Sequence, residues 1–173
     1  MQVDEDHLVD IVNEDDIVIG KDTKENKFSK ELISRNVVAF LKDKNNKYII
    51  VKRSPKKKSY PNLLDLAACG HVRLGESYKE AIAREIKEEL GVSVPDLKLL
   101  KKVYHEHIEN GKYLRYFTSI FTGTCKDKII LSDELIDYKL FDIKSLKVNV
   151  ESNPKQFTPF FIDEFKIVKD QLD

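Results

Sequence analysis

Residues 77–91, SYKEAIAREIKEELG, constrain this chain more than any other stretch, because both ends of one helix are written into them. Ser77 is a good N-cap, and Glu80, three residues on, completes a capping box. Gly91 suits the left-handed position that closes a helix. The spacing therefore predicts a helix over 78–90. Within it Ile82, Ile86 and Leu90 share an arc that can face a core. Glu85, Glu88 and Glu89 stand at i, i+3 and i+4 on an adjoining arc of about 100°. Like charges so placed cost about 0.2–0.5 kcal/mol per pair on a bare helix. Lys79, Arg84 and Lys87 relieve part of that, and a divalent cation would relieve more. Hard cations such as Mg²⁺ favour carboxylate oxygens and keep room for substrate phosphates. Arg84 is placed to hold Glu85 through a charge-assisted contact. Gly70 and Gly75 bracket a loop running to the helix N-terminus, where backbone amides favour anions. Taken alone, an E-x-x-E-E face reads first as a solvated, salt-bridged surface.

The rest of the chain alternates short strand signals with turns. Residues 8–12 and 16–20 read as a hairpin around Asn13-Glu14-Asp15, and 21–32 as irregular polar chain. Val37–Leu41 and Lys47–Lys52 flank DKNN as a second hairpin, and SPKKKSYPN reads as a loop. Leu63–Cys69 reads as one buried strand. Strands follow near 98–105 and 113–122 around Glu109-Asn110-Gly111, with another at 137–142 and a short helix near 144–148. Residues 158–172 carry apolar residues at 160, 161, 165, 168 and 172, the spacing of an amphipathic helix. These elements predict an α+β protein, most simply an α/β/α sandwich with a mixed central sheet. The expected organisation is one domain over 1–173: an N-terminal hairpin extension (1–30), a core (35–150) and a C-terminal helix (155–173).

Charge narrows the class of partner. Thirty Lys+Arg balance thirty Asp+Glu, so no bulk field draws the chain to a nucleic acid polymer or an anionic membrane. Any anion must be bound locally. No apolar run is long enough to span a bilayer, and MQVDEDHLVD lacks the form of a signal peptide. With only Cys69 and Cys125, a disulfide framework is not expected, and a cytoplasmic setting is. The chain is expected to work as a monomer or a homodimer.

Residues 70–92, GHVRLGESYKEAIAREIKEELGV, resemble the Nudix box, Gly-x5-Glu-x7-Arg-Glu-U-x-Glu-Glu-x-Gly-U with U aliphatic. Gly70, Glu76, Arg84, Glu85, Ile86, Glu88, Glu89, Gly91 and Val92 fill every fixed position. The resemblance implies the Nudix fold and metal-dependent hydrolysis of a phosphoanhydride bond in a nucleoside diphosphate derivative or related phosphorylated metabolite, by water attack on phosphorus. It implies that Glu85, Glu88 and Glu89, joined by the Gly70 carbonyl, hold Mg²⁺ or Mn²⁺, and that one of the three acts as base. Arg84 would orient Glu85, and Glu76 would play a structural or substrate-side part. A further carboxylate from a later loop often contributes in this family. Glu134 is the candidate here, with Asp133 beside it.

The flanking stretch SYPNLLDLAACGHVRLGES is similar to isopentenyl-diphosphate isomerases, which use a cysteine before Gly-His in proton transfer at carbon. Cys69 and His71 fill those places. Against that activity, those isomerases need histidines upstream, and none lies between His7 and His71. They also need a carboxylate on a later strand, and YLRYFTSIF (113–121) has none. A Nudix-fold binding module without catalysis is the third reading, although such proteins usually lose box glutamates. Cys69 reads equally as a small packed hydrophobe, and His71 as a loop residue or a phosphate contact. Among Arg53, Lys56, Lys57 and Lys58, Arg53 at a strand end is the best substrate candidate. His105 and His107 share one strand face, which is more often incidental than a second metal site. Phe157, Phe160, Phe161 and Phe165 read as core, with a substrate wall as the alternative.

Overall fold

The structure, a computed structural model, describes residues 8–109 and 111–173, the Phe28 side chain excepted. Its elements are β1 (Leu8–Val12), β2 (Val18–Thr23), α1 (Asn26–Ser29), β3 (Ser34–Lys42), β4 (Tyr48–Arg53), β5 (Leu64–Asp65) and β6 (Ala68–His71). After these come α2 (Tyr78–Leu90), β7 (Lys98–Glu109), β8 (Lys112–Thr124), β9 (Leu135–Phe141), α3 (Ile143–Ser152) and α4 (Pro159–Val168). β1 and β2 pair with each other. The other strands form a seven-stranded sheet with a backbone order β5-β4-β3-β8-β7, in which β6 also pairs β3 and β9 pairs β4. β3 and β8 run parallel, with Val38 opposite Ile120, and the remaining pairs are antiparallel. The sheet is therefore mixed, as expected.

Period-2 alternation divides the core. Val37, Ala39 and Leu41 of β3 point to the face covered by Ala81, Ile82, Ile86 and Leu90 of α2. Val38 and Phe40 point to the opposite face, covered by Leu146 and Val150 of α3 and Phe161, Phe165 and Val168 of α4. That is the helix–sheet–helix sandwich read from the sequence. α2 runs from 78 to 90 as predicted, with both arms of the Ser77–Glu80 capping box formed and Gly91 left-handed at φ 68°.

The structure shifts several of the sequence readings. β2 begins at Val18 rather than 16, because the Asn13 side chain accepts from the amides of Asp15 and Ile17 and draws 13–17 into one longer turn. Residues 21–32 are not all irregular: β2 continues to Thr23 and α1 forms one turn. The single strand read at 63–69 is broken, since β5 pairs with β4 and the chain then crosses at Leu66–Ala67 to pair β6 with β3. The last helix stops at Val168, short of 172, although Leu172 is still buried. β7 outruns its reading at the turn end, to Glu109, and β8 at both ends, from Lys112 to Thr124, and Asn110 of the turn lies outside the described residues.

Candidate active site

α2 and β6 build the site between them. Ile82, Ile86 and Leu90 bind α2 to the sheet, and that contact sets the adjoining carboxylates over the end of β6. Gly70 lies directly beneath Glu85: a Cβ built on Gly70 would stand 2.1 Å from the Glu85 Cδ. Glu89 reaches the same strand, accepting from the Cys69 amide at 3.4 Å. Burial pushes the Glu89 carboxyl well above its ordinary range, and the charges of Glu85 and Asp65 push the same way. Burial also raises Glu85, despite its contact with Arg84.

Arg84 organises the rest. Its Nε and Nη2 grip both oxygens of Glu76 at 2.7 and 2.9 Å, and Nη2 also donates to the His71 carbonyl at 2.9 Å. Nη1 donates to Glu85 at 2.6 Å and to Glu88 at 3.2 Å. Burial opposes the charge on Glu76, but the Arg84 contacts and the Arg73 amide outweigh it and hold the carboxyl below its ordinary range. Glu88 is the outermost of the three helix carboxylates and also accepts from Arg73 at 3.2 Å. Among the described residues no three acidic, histidine or cysteine side chains already converge on one point, and Glu88 is bound by Arg73 and Arg84. The donor set still fits a hard divalent cation. Glu85 and Glu89 are hard oxygen donors whose charge burial disfavours, and the absence of a Gly70 side chain lets the Glu85 carboxylate lie directly on the strand.

The N-terminal hairpin braces the loop that feeds α2. Leu74 donates to the Leu8 carbonyl at 3.1 Å, and the Gly75 amide points at both oxygens of Asp10 at 3.3 Å. Asp16, in the hairpin turn, accepts from Arg35 at 2.6 Å and from the hydroxyl of Tyr78, the first residue of α2, at 3.0 Å. Of these residues only Gly75 stands out in the sequence, as one end of the loop, because the pairs lie up to 66 positions apart.

On its other side β6 forms the wall of a cavity of about 330 Å³. Cys69, Gly70 and His71 face Leu114, Tyr116 and Phe160 across it. Tyr60 and Glu109 also line it and are joined at 2.6 Å through the tyrosine hydroxyl. The phenylalanines split by residue: Phe157, Phe161 and Phe165 are core, while Phe160 lines the cavity. His71 lies half-buried beside Lys27, Lys24 and Arg84, and desolvation first, then these cations, push its imidazole down to about 3.

A family model for the NUDIX domain matches residues 32–161. The chain belongs to the Nudix family. A prenyl-diphosphate phosphatase of Methanosarcina mazei is 31% identical over 157 residues, covering 88% of this chain and 89% of that protein. Isopentenyl-diphosphate Delta-isomerase 2 of Photorhabdus laumondii is 28% identical over 157 residues, covering 90% and 89%. A crystal structure from Deinococcus radiodurans superposes with a TM-score of 0.70 at 24% identity, covering 95% of this chain and 98% of that one, a likeness of fold. The chain is thus a Nudix hydrolase, of a family that generally cleaves pyrophosphate linkages with a divalent metal ion. No helix among the described residues is long and apolar enough to cross a membrane.

Within this Nudix fold the remaining sequence candidates fall in distinct places. Arg53 is committed to protein partners: Asp65 at 2.9 Å and the carbonyls of Ser59 and Tyr60. It holds the 54–63 loop rather than presenting a free guanidinium. Glu134 lies near enough for its charge to raise Glu89, and its carboxylate accepts from Lys57 at 2.5 Å. The Cys69 thiol is pushed well up by burial, and by Asp65, Glu89 and Glu85 around it. His105 lies 2.9 Å from Glu164 and stacks on Tyr116, so the two strand histidines share a wall with the cavity.

Proposed function

We propose that this Nudix hydrolase cleaves the phosphoanhydride bond of a small prenyl-type diphosphate, releasing phosphate. One observation carries the reading: β6 is at once the floor under Glu85 and Glu89 and the wall of the apolar cavity. A substrate whose diphosphate lies at the carboxylates has its organic part delivered to Leu114, Tyr116 and Phe160. The name of the Methanosarcina mazei relative supports the same class. A nucleoside diphosphate derivative is the wider alternative within the same reaction.

Glu85 and Glu89, with Glu88 and the Gly70 carbonyl, are the residues that would hold Mg²⁺ or Mn²⁺. Such an ion, when bound, neutralises phosphate charge and lowers the pKa of a coordinated water. The chain's own parts supply position. Arg84 fixes Glu85 and ties Glu76 to the His71 carbonyl, so loop and helix keep one spacing. Glu89, raised by burial, is suited to accept a proton from the attacking water, which opens the Pα–O–Pβ bridge and leaves a monophosphate ester and inorganic phosphate.

Isomerisation through Cys69 is the second reading, favoured by the Photorhabdus laumondii relative and by the place of Cys69 in the cavity wall. It is weakened because the surroundings of Cys69 stabilise the neutral thiol. The test incubates the full chain with Mg²⁺ and isopentenyl, dimethylallyl and geranyl diphosphates beside a panel of nucleoside diphosphate derivatives. Metal-dependent phosphate release from the prenyl compounds, reduced by roughly 10²-fold or more in Glu89→Gln, is expected. Release from nucleotides alone overturns the substrate class. Isomerisation without release, lost in Cys69→Ala, overturns the reaction.

A further inference from the structure

β9 closes one side of the large sheet, and among the described residues it pairs with β4 and no other strand. The hydrogen bonds of β4 fix which way its backbone points. The Arg53 amide donates to the Leu63 carbonyl on the β5 side, so the neighbouring Lys52 turns its peptide groups toward β9. Asp137, opposite Lys52, turns its own toward β4, and Tyr138, next along, turns its N–H and C=O outward. The Tyr138 amide accordingly donates to the Asp137 carboxylate at 2.8 Å. Residues 136–140 are all exposed. Ile136, Tyr138 and Leu140 are 49%, 37% and 42% exposed, although Tyr138 and Leu140 stand opposite the buried Val51 and Ile49 of β4. An exposed edge that carries apolar residues at alternate positions is a template for another strand.

We propose that β9 is a homodimer interface, through which two copies of this chain join their large sheets edge to edge. The charges choose the occupant. Asp137 and Lys139 flank Tyr138, so residues 136–140 read apolar, acid, tyrosine, base, apolar. Laid antiparallel on a second copy about a two-fold axis at Tyr138, each Asp137 stands opposite Lys139 of the second copy and each Ile136 opposite Leu140. Because the Tyr138 peptide groups point outward, the two tyrosines form a hydrogen-bonded pair. Asp137 and Lys139 then fall on the non-hydrogen-bonded positions, where side chains approach most closely. Moving the axis by one residue either way sets Asp137 against Asp137 or Lys139 against Lys139, so charge selects one register. A bulge beside Ile136 bends the strand at its start and confines the contact to 136–140. So short a ladder gives a weak dimer that depends on concentration.

Sedimentation velocity of the full chain across the micromolar range is expected to show a monomer–dimer equilibrium. Lys139→Asp sets like charges opposite each other twice and is expected to raise the dimer dissociation constant by at least about tenfold. Asp137→Lys/Lys139→Asp exchanges the two charges and is expected to bring it back to within about threefold of the parent. Circular dichroism and thermal melting show that each variant is folded. A second measurement reads the register. In the paired ladder the two copies of position 138 stand about 5.5 Å apart at Cα, within disulfide reach, and those of position 136 about 14 Å apart. Diamide is therefore expected to cross-link Tyr138→Cys into a dimer and to leave Ile136→Cys uncross-linked. The parent, with Cys69 half-buried and Cys125 buried, is the control. A chain that stays monomeric throughout, a dimer indifferent to Lys139→Asp, a folded charge-exchange variant that stays monomeric, or cross-linking at 136 in place of 138 overturns the proposal.

Discussion

At Gly70 a single methyl group separates chemistry from stability. The atoms that an added Cβ would strike are the Cδ and Oε1 of Glu85, both at 2.1 Å, which form the mobile end of a side chain rather than backbone. Gly70→Ala is therefore expected to leave the melting temperature within a few degrees while displacing the Glu85 carboxylate. A displacement of about 1 Å in such a site costs roughly 10²-fold in rate. Turnover within twofold of the parent enzyme would show that Glu85 does no work at that position. Glu89 gives a pH prediction of definite sign. Its folded pKa is raised, so its contribution to stability is in place below the ordinary carboxylate range, about 4.5, and is lost as pH rises through the raised value. Glu89→Gln is permanently neutral. Without metal it is expected to melt above the parent at pH 8 and to converge with it near pH 4. Mg²⁺ is expected to narrow the gap at pH 8 by stabilising the parent alone. A gap that is constant with pH would mean that Glu89 is not the strained group.

Among the elements, α2 was legible to the residue because its signals are local: Ser77, Glu80 and Gly91 each act within one turn of an end. The glutamate arc was legible for the same reason. The break between β5 and β6 was not, since Leu64 and Ala68 are apolar alike and only their partners, Lys52 and Ala39, distinguish them. Nor was the brace from the first hairpin, or Lys27 against His71, which are 44 positions apart. Arg53 was legible as important, but its work is to hold the Ser59 and Tyr60 carbonyls. The brace has its own test at Asp16, whose backbone is left-handed at φ 61° and whose side chain receives Arg35 and Lys102, both at 2.6 Å. Burial works to raise the Asp16 carboxyl, but Lys102 and Arg35 outweigh it and the group sits below its ordinary range. Asn tolerates the same backbone, so Asp16→Asn removes the charge alone. A loss of about 2 kcal/mol in urea unfolding at pH 7 is expected. Because the folded pKa is depressed, the parent's advantage is present above the ordinary aspartate value and disappears as pH falls through the folded one. An advantage that persists at pH 2 would assign the effect to something other than charge.

The whole molecule is a sheet clamped between α2 on one face and α3 with α4 on the other, and its two clamps are made differently. α2 is held by aliphatic side chains with its carboxylates at the margin. α4 is held by the stacked rings of Phe157, Phe161 and Phe165, yet it also buries Glu164 completely against the far edge of the sheet. The His105 Nε2 lies 2.9 Å from Glu164 Oε1, but neither carboxylate oxygen is satisfied by a well-directed hydrogen bond. A buried carboxylate with so little compensation is a cost to the fold, and replacing such a group by an apolar side chain of similar volume is often neutral or stabilising by about 1–4 kcal/mol. Glu164→Leu is therefore expected to raise stability, whereas His105→Ala, which leaves the carboxylate without its imidazole, is expected to lower it by about 3 kcal/mol. Urea unfolding of the two single variants and the double variant gives the coupling directly. Tyr116 stacks on His105 and lines the cavity, so the same variants read out on the pocket. If Glu164→Leu is more stable and keeps its KM, the carboxylate serves neither fold nor ligand. If it is more stable but binds prenyl diphosphates less well, the molecule gives up stability across its α4 face to hold Tyr116 against the substrate.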